Sequence, residues 1–151
     1  FPVEQFIGRA LVIHCPELRE GERIPFSAVE RVRPLADRAE FLLFHTGWGR
    51  YWGTERYFGD YPCIDSDIVD YLLQSGKKGV GLDTIGVDPI ADAHLSIHRR
   101  LFQDHEIVVM ENLANLDQIG DGLFTLFALP LRYQDADGSP IRAVAVLDGE
   151  E

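Results

Sequence analysis

The sequence predicts an α/β fold with a mixed β-sheet, and two patterns indicate this class. Short apolar runs with the length of buried strands alternate along the chain with amphipathic segments that have helical spacing. The chain then ends in two apolar runs separated by Asp137-Gly138, a dipeptide typical of the turn between antiparallel strands. Parallel strands joined by helices, followed by an antiparallel hairpin, make a mixed sheet.

The first part of the chain predicts a strand, a short helix and a second strand. Residues 9–15 (RALVIHC) are an apolar run long enough for a buried strand. Ser27 with Glu30 three residues later is predicted to form a capping box that begins a short helix, and Pro34 limits that helix. Residues 41–44 (FLLF) predict the second buried strand.

The segment 45–62 is predicted to be a long loop that begins with a glycine-rich turn and carries many aromatic residues. Loops of this length in compact domains are more often functional than idle. We therefore predict that the loop lines a substrate pocket, with Trp48 and Trp52 as candidate pocket residues, or contacts another subunit. A small satellite core beneath the loop is the alternative.

The second part of the chain continues the alternation of helices and strands. Asp65 is predicted to begin a helix that Gly76 ends. A strand over 79–82 is followed by a helix over 90–103 and a strand over 107–110. The last predicted strands are 123–129 and 142–147.

Composition bounds the function. A chain of 151 residues fits one domain, and its net charge of −11 argues against nucleic acid or an anionic membrane surface as a partner. The apolar runs are too short to span a bilayer. Cys15 and Cys63 do not make a disulfide framework, and they predict a reducing, cytoplasmic location.

The strongest chemical candidate is the pair His98 and Glu111. Glu111 closes the apolar strand 107–110, and a buried charge is costly unless a cation holds it. That cation could be a metal ion or an arginine. The functional interpretation makes the pair metal ligands or an acid and base. The alternative is a solvent-facing histidine and a glutamate paired with arginine, and spacing alone leaves both open.

Two other arrangements are weaker metal candidates. His94 and His98 have the spacing of zinc ligands on a helix, but the glutamate of H-E-x-x-H is absent, so His94 is predicted to be a surface or supporting residue. Asp83, Asp88 and Asp92 could form an acidic cluster. We instead expect them to end a strand, open a turn and cap a helix, respectively.

Two further features are predicted to be structural. Gly79-x-Gly81 followed by Gly86 resembles a phosphate loop only superficially, because the glycines begin inside a strand; close backbone packing is the expected role. Cys63 follows a proline in a predicted loop, and no activating base for a nucleophilic thiol is evident.

Four segments together resemble the cyclase family of metal-dependent hydrolases, which includes bacterial kynurenine formamidases. They occur in the order expected for the family and cover most of the chain. Their most specific motifs are HTGW, GLDT, ENLANLD and GSPIRAVAV. The segments are 41–58, 79–89, 98–117 and 127–147.

This resemblance implies a swivelling β/β/α fold, one domain over 1–151, a divalent metal (Zn or Mn) and a small-molecule substrate. It also implies a homo-oligomer, a dimer or tetramer in which neighbouring subunits help to build the pocket. His98 resembles the helix histidine at the metal centre, and Glu111 the strand-end glutamate that binds or bridges the metal. The spacing between them is one residue longer than in the family, around 103–106.

The main metal motif of the family, H-x-G-T-H-x-D-x-P, is absent, and the single methionine is Met110. We therefore expect a longer natural protein that hydrolyses an amide or ester carbonyl with metal-activated water. N-formylkynurenine is a candidate substrate. These 151 residues alone are expected to bind metal weakly and show little activity. The alternatives are a shortened, inactive relative that acts as an assembly or ligand-binding module, and a metal-independent esterase that uses Cys63.

Overall fold

A computed structural model describes residues 1–103 and 106–147. It has eight strands and four α-helices within those ranges. In chain order the strands are β1 (Ile7–His14), β2 (Arg23–Ile24), β3 (Phe41–His45), β4 (Cys63–Ile64), β5 (Gly79–Leu82), β6 (Val108–Met110), β7 (Phe124–Phe127) and β8 (Val144–Val146). The helices are α1 (Ser27–Glu30), α2 (Arg33–Ala36), α3 (Ser66–Gln74) and α4 (Ser96–Phe102). None of these helices is long and apolar enough to cross a membrane.

Six strands form one mixed sheet in the order β6-β5-β3-β1-β7-β8. The first four strands run parallel, whereas β7 is antiparallel to β1 and β8 is antiparallel to β7. The predicted α/β class with a mixed sheet is therefore confirmed, and Asp137-Gly138 lies in the connection between the antiparallel strands β7 and β8. Strands β2 and β4 make a separate two-stranded parallel sheet.

Both faces of the main sheet are covered. Successive side chains of a strand point to opposite faces, so each central strand contributes to two apolar layers. On β1, Leu11 and Ile13 pack with the helices, whereas Ala10 and Val12 face a second layer. That second layer includes Leu113 from the segment after β6. The strands buried on both faces explain the continuous apolar runs in the sequence.

Helix α4 starts later than predicted. Its first helical residue is Ser96 rather than residue 90. The Asp92 carboxylate accepts hydrogen bonds from the backbone N–H groups of His94 and Ser96, at 2.9 and 3.1 Å, and so holds the preceding segment as a turn. Leu95 has a φ of 51°, which lies in the left-handed region and interrupts a helix. Side-chain bonds to the backbone thus compete with the helical pattern.

Two local predictions were wrong. Ser27 is the first helical residue of α1 and caps nothing with its side chain, because the turn begins one residue earlier at Phe26. Cys63 lies in strand β4 rather than in a loop. By contrast, Asp65 caps α3 by accepting from the N–H of Ser66 at 2.7 Å, and Gly76 follows the helix with a φ of 62°, as predicted.

Candidate active site

The carboxyl ends of the four parallel strands bring chemically active side chains to one edge of the sheet. Glu111 follows β6, Asp83 follows β5, and His45 and His14 end β3 and β1. In open α/β sheets, ligands bind in the crevice outside the carboxyl ends of the strands. A ligand-binding or catalytic site is therefore expected at this edge of the sheet.

His98 lies between two carboxylates at this edge. Its Nε2 is 3.2 Å from Oε1 of Glu111, and its Nδ1 is 2.5 Å from Oδ2 of Asp88. The side chain of Asp88 is 2% exposed, and it also accepts hydrogen bonds from the backbone N–H groups of Ile97 and His98. Asp88 therefore fixes both the start of α4 and the orientation of the imidazole, which leaves Nε2 directed at Glu111.

The two carboxylates change the protonation of His98. The hydrogen bond to Glu111 is the largest cause that raises the pKa of the imidazole, Asp88 adds to it, and burial opposes both. When protonated, this ring is a cation beside the carboxylate that closes the apolar strand. A histidine, rather than an arginine, is the partner of Glu111 in the described ion pairs.

An open cleft of about 1380 Å³ has His98 and Glu111 in its wall. Apolar side chains from the N-terminus, from α4 and from the segment between β7 and β8 line much of the rest. A cleft with a few polar groups in a mostly apolar wall is typical of sites for small organic molecules. These apolar lining residues include Phe1, Val3, Phe102, Leu129, Leu131 and Ile141.

A second cleft of about 670 Å³ lies beside the first, and Asn112 lines both. The Tyr57 hydroxyl donates a hydrogen bond of 2.6 Å to Oδ1 of Asn112, and burial raises the pKa of this tyrosine to about 12. Trp52 lines the second cleft and is 68% exposed. His45 lies in the same wall.

Trp48 does not line either described cleft. It is 2% exposed and its Nε1 donates to the carbonyl of Tyr57, within a small core that also contains Tyr61 and Cys63. The aromatic loop thus forms a satellite core and, through Trp52, part of a cleft wall. That either tryptophan binds a substrate stays a prediction.

The other residues considered as metal ligands, namely His94 and the aspartates Asp83 and Asp92, do not lie together in one group. Asp83 accepts from the N–H and hydroxyl of Thr46, at 2.9 and 2.6 Å, and Asp92 caps the turn before α4. His94 is exposed, as predicted for a surface residue. Over 1–103 and 106–147, no three histidine, cysteine or acidic side chains converge as a metal site.

Cys63 is unsuited to act as a nucleophile. Its side chain is buried, its thiol donates to the carbonyl of Tyr61 at 3.4 Å, and burial raises its pKa to about 12. Because the thiolate is the reactive form, such a thiol is inert near neutral pH. The metal-independent esterase hypothesis therefore loses its nucleophile.

Sequence reasoning missed three features of this edge: the buried carboxylate behind His98, the amide shared by the clefts, and the pairing of two histidines. Asp88 was expected to open a turn, with membership of an acidic cluster as the alternative, and not to hold His98. The signal that could have revealed it is an acidic residue directly after an apolar segment and shortly before a histidine-bearing helix. Asn112 and the His14–His45 pair have no local signal.

Comparison with known proteins identifies the family. The model of the Cyclase family, described as "Putative cyclase", matches residues 1–89, which is more than half of the chain. The chain therefore belongs to the Cyclase family. A kynurenine formamidase of Bacillus anthracis is 45% identical over 148 residues, which cover 94% of this chain and 64% of the relative. The chain thus spans slightly less than two thirds of the length of this relative.

Solved structures share the fold. Isatin hydrolase A from Labrenzia aggregata, with benzyl benzoate bound, has a TM-score of 0.84 at 24% identity, across 96% of this chain and 62% of that one. A protein described as a "Potential Metal-Dependent Hydrolase With Cyclase Activity" has a TM-score of 0.70 at 21% identity, across 95% and 67%. Both confirm the predicted fold class.

Proposed function

We propose that this chain is part of a metal-dependent hydrolase that cleaves an amide or ester carbonyl. The observation that carries the proposal is the contact of 3.2 Å between His98 Nε2 and Glu111 Oε1 at the carboxyl edge of the sheet, in the wall of the larger cleft. The name of the relative, kynurenine formamidase, makes N-formylkynurenine the first substrate to test.

The donor set at His98 and Glu111 fits a divalent ion. One imidazole nitrogen and one carboxylate oxygen lie side by side, and Asp88 holds the far nitrogen of the ring, the arrangement in which a second carboxylate orients a metal-binding histidine. Zinc and manganese both accept nitrogen and oxygen donors. When bound, such an ion supplies a water that is acidic enough to attack at neutral pH, and it polarises the carbonyl.

Two donors are too few for a catalytic zinc site, which usually has three protein ligands and an open position. We propose that the remaining donors come from polypeptide outside these 151 residues. We further propose that the protein is a cytoplasmic homo-oligomer. The free, buried state of Cys15 and Cys63 supports a reducing compartment.

The residues of this chain have separate tasks in the proposed reaction. Asp88 keeps the imidazole of His98 in one orientation. His98 has two alternative roles at Nε2: it would bind the ion as a ligand or, where other donors hold the ion, move a proton between the attacking water and the leaving amine as a general base and acid. The carboxylate of Glu111 would stabilise the positive charge of the bound ion beside that nitrogen. The apolar wall, which includes Phe102 and Leu131, can pack against an aromatic substrate.

The test uses the full-length protein encoded by the natural reading frame. We expect it to hydrolyse N-formylkynurenine with added zinc or manganese, measured by release of formate. Glu111→Gln should lower kcat/KM by about 100-fold or more, because removing a metal-site carboxylate weakens metal binding or activity by at least 10–100-fold. Glu55→Gln, which changes an exposed carboxylate elsewhere, is the matched control. Unchanged activity of the Glu111 variant would contradict the proposal.

The two-donor site also favours a second candidate, a catalytically inactive member that serves as an assembly or ligand-binding module. The same assay separates the two. A full-length protein that binds kynurenine-type ligands but hydrolyses none with any divalent ion would support the module.

A further inference from the structure

We infer that His14 and His45 form a second transition-metal site, distinct from the site at His98. The two residues end the neighbouring parallel strands β1 and β3 and are direct partners in the strand register. Their Nδ1 atoms are 3.0 Å apart, and both side chains are partly buried. At this separation one ring donates a hydrogen bond to the other, and two adjacent imidazole nitrogens are also suitable donors for a borderline metal ion.

The separation of the two nitrogens suits a shared ion. Imidazole nitrogens bind zinc at roughly 2 Å, so two of them on one ion lie about 2.9 Å apart at a right angle and about 3.3 Å apart at a tetrahedral angle. The observed 3.0 Å falls between these values. The rings are nearly perpendicular, at 85°, which keeps their edges from colliding at this distance. Binding of an ion at both Nδ1 atoms would replace this hydrogen bond, with the proton of the donor ring moving to its Nε2 and both rings turning towards the ion.

An exposed carboxylate lies near the far nitrogen of His14. Oδ1 of Asp121 is 3.9 Å from Nε2 of His14, on the side of the ring away from His45. Metal-binding histidines commonly direct their second nitrogen at a carboxylate in this way. Cys15, the next residue, is 1% exposed and packs in the apolar core between the sheet and the helices.

This site is separate from the pair His98 and Glu111. Strand β5 lies between β6 and β3, so Glu111 is two strand positions from His45, or roughly 10 Å at about 5 Å per strand. The carboxylate of Asp83, which lies between them, accepts hydrogen bonds from the backbone N–H and the hydroxyl of Thr46. Both ring nitrogens of His98 already face carboxylates. One ion therefore cannot use both histidine groups.

The chemistry of the site selects the class of ion. Imidazole nitrogens bind Cu(II), Ni(II) and Zn(II). A given site generally binds Cu(II) more tightly than either Ni(II) or Zn(II). Two protein donors leave open positions for water or for the carboxylate of a small molecule. His45 also lies in the wall of the second cleft, beside Trp52, so a ligand in that cleft could reach the ion.

The experiment titrates Ni(II) and Cu(II) into the full-length protein after its resident metal has been loaded and the excess removed. Isothermal titration should detect one further equivalent. His14→Gln and His45→Gln should each weaken its binding at least 10-fold, because glutamine keeps a polar side chain of similar reach but is a poor ligand for these ions. His94→Gln, at an exposed single histidine, is the matched control and should leave the equivalent unchanged.

A spectroscopic measurement on the protein without substitutions tests the site even if the variants fail to fold. The electron paramagnetic resonance spectrum of one added equivalent of Cu(II) should show coupling to two imidazole nitrogens. The absence of a further equivalent, or coupling to one nitrogen or none, would overturn the inference. Persistence of the equivalent in the folded His14→Gln/His45→Gln protein would also overturn it. Hydrolysis of N-formylkynurenine by the His14→Gln variant tests the proposed function independently, because this second site is separate from His98 and Glu111.

Discussion

Asp88 decides how His98 is presented, and this dependence can be tested directly. Asp88→Asn removes the charge beside Nδ1 and adds an amide that can also donate, so the imidazole loses its fixed orientation. We expect the full-length protein to bind zinc about 10–100-fold more weakly, as measured by competition with a chelator. Asp92→Asn is the matched control, because Asp92 caps the same segment from a more exposed position. Equal losses in both variants would indicate a general effect on α4 rather than an effect on the ring.

Burial makes both thiols unreactive in the folded protein. The pKa values of Cys15 and Cys63 are raised to about 11 and about 12, chiefly by desolvation. At pH 8 a thiol with a pKa near 12 is thiolate to only about one part in ten thousand. We expect iodoacetamide to modify neither cysteine until the protein is unfolded, as followed by intact mass. Cys63→Ser should retain full hydrolysis of N-formylkynurenine, and a loss of activity in a folded variant would revive a role for this thiol.

At the scale of elements, the glycines of β5 set the distance between neighbouring strands. A Cβ on Gly79 would lie 2.7 Å from the carbonyl oxygen of Val108 and 2.8 Å from Cδ1 of Phe41. Gly79→Ala should therefore lower the free energy of unfolding by about 1–3 kcal/mol, the usual effect of overpacking, measured by urea denaturation. Gly120→Ala, where a Cβ would meet no atom within 4 Å, is the control. Similar stability of the two variants would contradict the close packing.

The elements predicted best were those specified by local chemistry. Helix α3 has an aspartate cap and a terminal glycine, and its bounds followed from the sequence. The start of α4 did not follow from the sequence, because the carboxylates of Asp88 and Asp92 accept hydrogen bonds from the backbone N–H groups of Ile97 and Ser96. Nothing in helical periodicity encodes such competing side-chain bonds. The capping box at Ser27 was wrong for a related reason: the helix is capped one residue earlier at Phe26, and the carbonyls of Pro25 and Phe26 already accept from the N–H groups of Ala28 and Val29.

At the scale of the whole molecule, the topology of the sheet brings the candidate site together. The sequence singled out Glu111 because a charge closes an apolar strand, and His98 as a histidine on the preceding predicted helix, which the family resemblance then supported. It could not pair His14 with His45, since residues 31 positions apart meet only through the register of β1 and β3. Parallel order aligns the carboxyl ends of strands that are distant in sequence. Single residues of such a site are therefore predictable, whereas their contacts require the fold.

The exposed apolar surface predicts association in solution. Val144 and Val146 on the edge strand β8 are 45% and 50% exposed, and Leu147 beside them is 56% exposed. An apolar edge strand invites pairing with another chain. We expect light scattering after size exclusion to give a multiple of 17.0 kDa for the 151-residue chain. Val146→Lys should shift the mass towards the monomer, because a charge on the edge opposes pairing, whereas Ile90→Lys, at an exposed apolar residue outside the larger cleft, should not. A monomer at all concentrations would contradict the expectation of an oligomer.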